Sequence, residues 1–175
     1  KDNRNETDKV FLEYIDFKLT VSKKIKETTL PNDTLIHGDY HPGNLLIDKI
    51  TGEIVGVCDW EKVEFGSRSY ELARSLLYTC FDGDYKEEKS LADSKLFLEG
   101  YLSVFPMSVD EIMDGLNMRI YRMALSSWIE EKYYKNHDSR ANHLIRHEVN
   151  IIDYAVNGGL LEQIKSIATK ILEKI

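Results

Sequence analysis

The sequence is poor in the features that mark membrane proteins and disulfide-rich secreted proteins. Its 175 residues contain only two cysteines, Cys58 and Cys80, and their separation matches neither a metal site nor a disulfide framework. No apolar run approaches the length of about 18 residues that a membrane-spanning helix requires. We therefore expect no membrane partner, a cytoplasmic protein, and two free thiols in that reducing compartment.

Basic residues are also too few to balance the acidic ones. The chain has 23 Lys and Arg against 30 Asp and Glu, a formal net charge of −7, so we expect no nucleic-acid partner. The acidic excess is concentrated in residues 82–114, which hold nine acids and three bases. Such a stretch is typical of a solvated helix face, and its alternative interpretation is a rim that attracts a cationic substrate.

Neither internal repeats nor low-complexity tracts divide the chain, and we expect a single domain over residues 1–175. Apolar periodicity and end signals predict helices over 8–29, 70–78, 87–105, from Ser108 to beyond Trp128, 140–157 and 160–175. Two short strand-like runs, 45–47 and 54–58, are separated by Thr51-Gly52 and predict a β-hairpin. The predicted fold class is α+β and mostly helical.

Two polar residues flank this hairpin. Asn44 comes directly before the first strand, and Asp59 comes directly after the second. Because antiparallel strands place the start of one beside the end of the other, we expect Asn44 and Asp59 at the same end of the hairpin.

The segment before the hairpin, residues 37–44, reads His-Gly-Asp-Tyr-His-Pro-Gly-Asn. Asp39 precedes Asn44 by five positions, as in a kinase catalytic loop, and Asp59 ends a strand, where a kinase places its metal-binding Asp. Phosphoryl transfer needs a carboxylate that orients the acceptor hydroxyl and takes its proton, which suits Asp39. It also needs hard oxygen ligands for Mg²⁺, which suits Asn44 and Asp59. His41 is interpreted either as a phosphate or acceptor contact or as a turn residue.

Four motifs together resemble the aminoglycoside phosphotransferase and choline kinase family: His37-Gly38-Asp39, His41-Pro42-Gly43-Asn44, Asp59-Trp60-Glu61 and Tyr70-Glu71-Leu72-Ala73. The resemblance covers about residues 30–80. It implies a protein-kinase-like fold that uses ATP and Mg²⁺, with Asp39 as the catalytic residue and Asn44 and Asp59 as metal ligands. His41, Asn44 and Asp59 are then the residues expected to contact the Mg-ATP cofactor. His37 is expected to be scaffold, and Glu71 to brace the catalytic loop.

Members of this family also have an N-terminal lobe with a Gly-rich phosphate loop and a strand bearing an ATP-pairing Lys. Neither feature precedes His37, where a helix is predicted instead. We therefore expect the chain to be the C-terminal catalytic lobe only, with the ATP-binding lobe absent, and to be inactive alone. We also expect it to self-associate, or to expose an apolar seam beside the catalytic loop.

Three functions are compatible with these residues. The first is an ATP- and Mg-dependent O-phosphotransferase acting on a small hydroxylated molecule, such as an aminoglycoside, a choline-like alcohol, an amino alcohol, homoserine or a sugar. The second is a non-catalytic, pseudokinase-like binding module, which would typically lack Asp39, Asn44 or Asp59, whereas all three are present. The third is a metallohydrolase using His37, Asp39, His41 and Asp59.

Overall fold

Helices dominate the part of the chain that the computed structural model describes, which comprises residues 5–25, 27–81, 87–138 and 140–174. Its α-helices are α1 (Glu6–Ser22), α2 (Arg68–Cys80), α3 (Glu87–Val104), α4 (Val109–Leu125), α5 (Trp128–Asn136), α6 (Ala141–Val156) and α7 (Leu160–Leu172). Its strands are β1 (Thr34–Ile36), β2 (Leu45–Ile47), β3 (Ile54–Val57) and β4 (Glu64–Gly66). This confirms a mostly helical α+β class. None of the described helices combines the length and apolar content needed to cross a membrane.

The first helix ends earlier than predicted, at Ser22 rather than at residue 29. Its start is fixed by a capping box in which Asn5 accepts from the Asp8 amide at 2.9 Å and Asp8 accepts from the Asn5 amide at 2.8 Å. Beyond Ser22 only Ile25 could extend an apolar face, and two β-branched threonines follow, so continuing the helix would gain little. Residue 26 of the predicted helix lies outside the described residues.

The buried face of α1 also differs from the prediction. It consists of Phe11, Tyr14, Lys18 and Val21, whereas Leu19, which was predicted to be on that face, is more than half exposed. The charged Lys18 is accommodated because its ammonium donates to the carbonyl of Ser126 and forms an ion pair with Glu130 at 3.0 Å. Because one residue of the buried face is a lysine, a search for regularly spaced hydrophobic residues does not identify that face correctly.

The helix that begins after Ser108 has the predicted capping box. The Glu111 carboxylate accepts from the Ser108 amide at 2.8 Å, and the Ser108 hydroxyl accepts from the Glu111 amide at 3.2 Å. The prediction that this helix continues past Trp128 is wrong, because α4 ends at Leu125 and α5 begins at Trp128. The two intervening serines compete with helical hydrogen bonds and favour caps and turns, which explains the break.

The last two helices are close to their predicted positions. As expected for a C-cap, the Gly158 amide donates to the carbonyls of Asp153 and Tyr154, and Gly159 has a φ of +87°. Helix α7 ends at Leu172, and Ile175 of the prediction lies outside the described residues.

The chain divides into two compact units. One comprises residues 1–27 and 120–161, and its core is formed by Phe11, Tyr14, Ile129 and Ile145. The other comprises residues 28–119 and 162–175, where α2 packs against α3 and β1. All the predicted site residues belong to this second unit. Of the acidic stretch, Asp82, Asp84 and Lys86 lie outside the described residues.

Two small antiparallel sheets organise the second unit. The predicted hairpin is present as β2 paired with β3, with Leu45 opposite Val57. The pairing of β1 with β4, with Leu35 opposite Phe65, was not predicted. A strand of three residues with one buried side chain gives almost no alternating pattern, which explains the omission. This pairing fixes both ends of the segment 37–63, which carries Asp39, Asn44 and Asp59.

Candidate active site

The first half of the site is a loop, residues 37–44, that follows β1 and is braced by the side chain of Glu71. One carboxylate oxygen of Glu71 accepts from the His37 amide at 2.8 Å, and the other accepts from the Gly38 amide at 2.6 Å. Two main-chain donors that no strand or helix satisfies are thus paired with one charged acceptor. The predicted bracing role of Glu71 is confirmed.

We expect Glu71→Gln to destabilise the protein measurably. The glutamine amide keeps one acceptor oxygen but turns its own NH₂ toward a backbone N–H, which leaves a partly buried donor unpaired. The expected loss of unfolding free energy is about 1–3 kcal/mol, measured by denaturant unfolding. Glu53→Gln, an exposed change in the hairpin, is the matched control. Equal stability of the two variants would contradict the bracing role.

His37 is scaffold, as predicted. It is 4% exposed, its Nδ1 accepts from the Asp39 amide at 3.2 Å, and its Nε2 lies 2.9 Å from the Cys58 carbonyl. The acceptor role of Nδ1 assigns the ring proton to Nε2, so that Nε2 donates to Cys58. The ring also lies 4.6 Å from the Trp60 ring, centroid to centroid. His37 therefore ties the loop to the segment that follows β3 and has no ring nitrogen free for a metal.

Asp39 lies at the centre of the site between two cations. One carboxylate oxygen pairs with the Arg74 guanidinium, and the other lies 2.6 Å from the Lys62 ammonium. Burial pushes the pKa of Asp39 upward, but the hydrogen bond from Lys62 and the charges of Arg74, Lys62 and His41 outweigh it, so the pKa lies below its usual value. The carboxylate is therefore ionised at neutral pH.

Asn44 is joined to both neighbouring segments. Its side-chain amide donates to the Asp39 carbonyl at 2.9 Å, which leaves Oδ1 as the remaining acceptor of that side chain. Its own carbonyl accepts from the Cys58 amide at 3.0 Å, one residue before Asp59. The hairpin thus brings Asn44 beside the start of the Asp59 turn.

Asp59 has an unusual backbone. Its φ of 64° and ψ of 53° place it in the left-handed region, and its side chain is exposed. Aspartate tolerates this region better than most residues, and such conformations cluster at functional sites. The turn that follows, Trp60–Lys62, is anchored by the Trp60 indole, which donates to the Val57 carbonyl at 2.8 Å.

His41 is part of the turn that positions Asn44. Its Nδ1 accepts from the Gly43 amide at 3.1 Å and caps the short 3₁₀ helix Pro42–Asn44. Its ring contacts Tyr78 with 5.7 Å between centroids. This geometry accounts for a turn role, and a phosphate contact through the other ring nitrogen stays a prediction.

The donor set fits a hard, oxygen-preferring cation. Asn44 would supply an amide oxygen and Asp59 a carboxylate, and Mg²⁺ sites in phosphoryl-transfer enzymes commonly use one or two protein oxygens together with phosphate and water. Across the described ranges, no cluster of three or more His, Cys, Asp or Glu residues could hold a metal ion. A metallohydrolase using His37 is disfavoured because both nitrogens of its ring are hydrogen-bonded to the main chain.

Two site residues, Lys62 and Arg74, were not predicted. Arg74 lies three positions after Glu71 on α2, so both side chains point to the loop, and this i, i+3 relation is a signal that could have been used. Lys62 gave no such signal, because its contact depends on the close approach of two loops. A Cβ at Gly38, whose φ is +76°, would overlap the Lys62 carbonyl oxygen, so only glycine permits this approach.

A pocket of about 570 Å³ lies next to the loop, at Tyr40, and its walls are mostly apolar. Tyr40, Glu71 and Ser75 line it together with side chains of β1 and α3. Asp39, Asn44 and Asp59 are not among its lining residues, so this pocket is separate from the candidate chemistry.

The structure thus shows a braced loop that carries Asp39, next to a hairpin that brings Asn44 beside the Asp59 turn, on a mostly helical α+β scaffold. The chain belongs to the phosphotransferase enzyme family, whose model matches residues 4–104, more than half of its length. Neither a curated protein nor a solved structure matches the chain.

Proposed function

We propose that the chain is the C-terminal lobe of a protein-kinase-like enzyme that transfers the γ-phosphoryl group of ATP to a hydroxyl of a small molecule. The observation that carries this proposal is the linked geometry of Asp39, Asn44 and the Asp59 turn. The Asn44 side-chain amide donates to the Asp39 main-chain carbonyl at 2.9 Å, and the Asn44 main-chain carbonyl accepts from the Cys58 amide at 3.0 Å. In the proposed arrangement Asp39 orients the acceptor, and Asn44 and Asp59 supply oxygen ligands suited to Mg²⁺.

The chemical role of Asp39 is to orient the acceptor hydroxyl and receive its proton. The hydroxyl oxygen bonds to the γ-phosphorus while the bond from that phosphorus to the β–γ bridging oxygen breaks, and ADP leaves with the electron pair. The hydroxyl proton passes to Asp39. Arg74 holds the other carboxylate oxygen and the Gly38 carbonyl, which fixes the orientation of Asp39.

Asn44 and Asp59 would hold Mg²⁺, which offsets the negative charge that develops on the phosphates. The protein fixes the backbone of both residues. Asn44 is 7% exposed and fixed by the hairpin, and Asp59 is set by a left-handed turn. His41, beside Asn44, is the residue through which the loop would reach a phosphate oxygen.

The acceptor is proposed to be a small hydroxylated molecule, and a cationic one is favoured. The chain carries a formal charge of −7, and the described acidic residues of α3 and α4, Glu87, Glu88, Asp93, Glu99, Asp110, Glu111 and Asp114, belong to the same unit as Asp39. A negative field raises the local concentration of cations. Amino alcohols, choline-like alcohols and aminoglycosides share this chemistry.

Nucleotide binding is proposed to need a separate lobe, so that this chain alone is inactive. Apolar side chains are exposed on both small sheets, among them Leu35, Leu46, Val55 and Phe65, each more than half exposed. Such surfaces are commonly covered by a partner. Either the nucleotide-binding lobe or a second copy of the chain would cover these side chains. Light scattering of the isolated chain measures its mass and so shows whether two copies associate.

A non-catalytic binding module is the second candidate, and one observation favours it. Both oxygens of Asp39 are paired with cations, a state in which the carboxylate cannot accept a proton. In a binding module both ion pairs of Asp39 would stay in place, and Asp39 would take no part in proton transfer.

A transfer assay separates the two candidates. The complete protein is incubated with Mg-ATP and a panel of hydroxylated amines, sugars and aminoglycosides, and products are identified by mass spectrometry. We expect a phosphate monoester of at least one acceptor, formed only with Mg²⁺, and none with the 175-residue chain alone. Ligand binding without any product would favour the binding module.

A further inference from the structure

The two cations that hold Asp39 differ in how firmly they are placed. Arg74 has an 18% exposed side chain, also donates to the Gly38 carbonyl, and lies over the Tyr78 ring with 5.7 Å between its central carbon and the centroid. The Lys62 side chain is 52% exposed, and Asp39 is its hydrogen-bond partner at 2.6 Å. Arg74 on α2 is therefore a fixed support of the loop, whereas the Lys62 side chain is flexible and solvated.

The proposed reaction requires one oxygen of Asp39 to face an acceptor hydroxyl. Because a carboxylate oxygen already paired with an ammonium is a poor proton acceptor, one of the two cations has to leave. Removing Arg74 would cost two hydrogen bonds and a ring contact, whereas removing Lys62 would cost one partly exposed ion pair, typically worth little. The oxygen nearest Lys62, Oδ2, is the one that can be freed.

The backbone of Lys62 cannot move far with its side chain. Its carbonyl lies against Gly38 so closely that no Cβ fits there, and the turn Trp60–Lys62 is anchored through the Trp60 indole. Displacement is therefore limited to the side-chain arm, a motion on the picosecond to nanosecond scale for exposed residues. The contact is fast to open and needs no rearrangement of the loop.

We infer that Lys62 is a displaceable counter-ion that occupies the acceptor's place on Asp39 and keeps water from that oxygen until the acceptor hydroxyl replaces it. This inference rests on the proposed function, and it concerns how that same site is regulated. Lys62 is a positioning residue, since it acts through Asp39. Lys62 would thereby suppress transfer of the phosphoryl group to water. In that side reaction a water oxygen bonds to the γ-phosphorus while the bond from that phosphorus to the β–γ bridging oxygen breaks. Asp39 receives a proton from the water, and ADP leaves.

The contact is tested first in the 175-residue chain, without nucleotide. Carboxylates are labelled with a water-soluble carbodiimide and glycine ethyl ester, and the labelling rate of Asp39 is read from peptide masses. Lys62→Met should raise that rate about two- to fivefold, the factor that a partly exposed ion pair controls. Lys62→Arg keeps the charge and should stay near wild type, and Lys49→Met in the hairpin turn should have no effect. An unchanged rate in Lys62→Met overturns the inference.

The functional half is tested in the complete protein with Mg-ATP and no acceptor. Lys62→Met should raise ATP hydrolysis about two- to fivefold, and the added Asp39→Asn change should remove that rise. Hydrolysis at or below the wild-type rate in Lys62→Met, in a protein that transfers phosphate to acceptors, overturns the gating role. A wild type with no transfer activity would refute the proposed function instead, and the labelling result would still decide the Lys62 contact.

Discussion

Replacing Asp59 with Ala in the complete enzyme should reduce Mg²⁺-dependent nucleotide binding and turnover together. Asp59 is proposed to contribute one of the two protein oxygens that bind the metal, and its carboxylate is exposed and makes no capping hydrogen bond to the turn that follows it. Loss of residues that only support metal ligands commonly costs about 10–100-fold in metal affinity or activity, and loss of a ligand itself should cost at least as much. The measurement is a Mg-ATP titration by calorimetry, paired with turnover.

Two comparisons make this test specific to the metal. Asp33→Ala removes an exposed carboxylate of the same unit and should leave binding and turnover unchanged. Raising the Mg²⁺ concentration should partly restore the Asp59 variant, because weakened metal binding can be offset by mass action. If the variant binds Mg-ATP as tightly as the wild type, Asp59 is not a metal ligand.

Residue type and spacing led to Asp39, Asn44 and Asp59, because phosphoryl transfer restricts which side chains can serve. The hairpin that brings Asn44 beside the Asp59 turn was predicted correctly, and the chemical roles of the three residues stay predictions. Glu71 was found through the family motif. Lys62 was missed because a surface lysine carries no periodic signal, and its contact is made possible by a glycine on another loop.

In the fold, too, local features were predicted better than long-range contacts. Capping residues predicted the start of α4 and the end of α6 well, because caps are local. The buried face of α1 was mistaken because Lys18 is buried through partners more than a hundred residues away. The pairing of β1 with β4 joins residues on either side of the 37–63 segment, a separation that no short sequence window contains.

The most direct test of the central claim is the turnover of Asp39→Asn in the complete enzyme. Asparagine keeps the size of the side chain but cannot accept the hydroxyl proton, so kcat should fall by about 10²–10⁴-fold. Mg-ATP affinity should stay close to wild type, since Asp39 is assigned to the acceptor rather than to metal or nucleotide. Asp33→Asn controls for loss of an exposed carboxylate, and thermal unfolding confirms that the variant is folded. A folded Asp39→Asn variant with wild-type turnover would contradict the account.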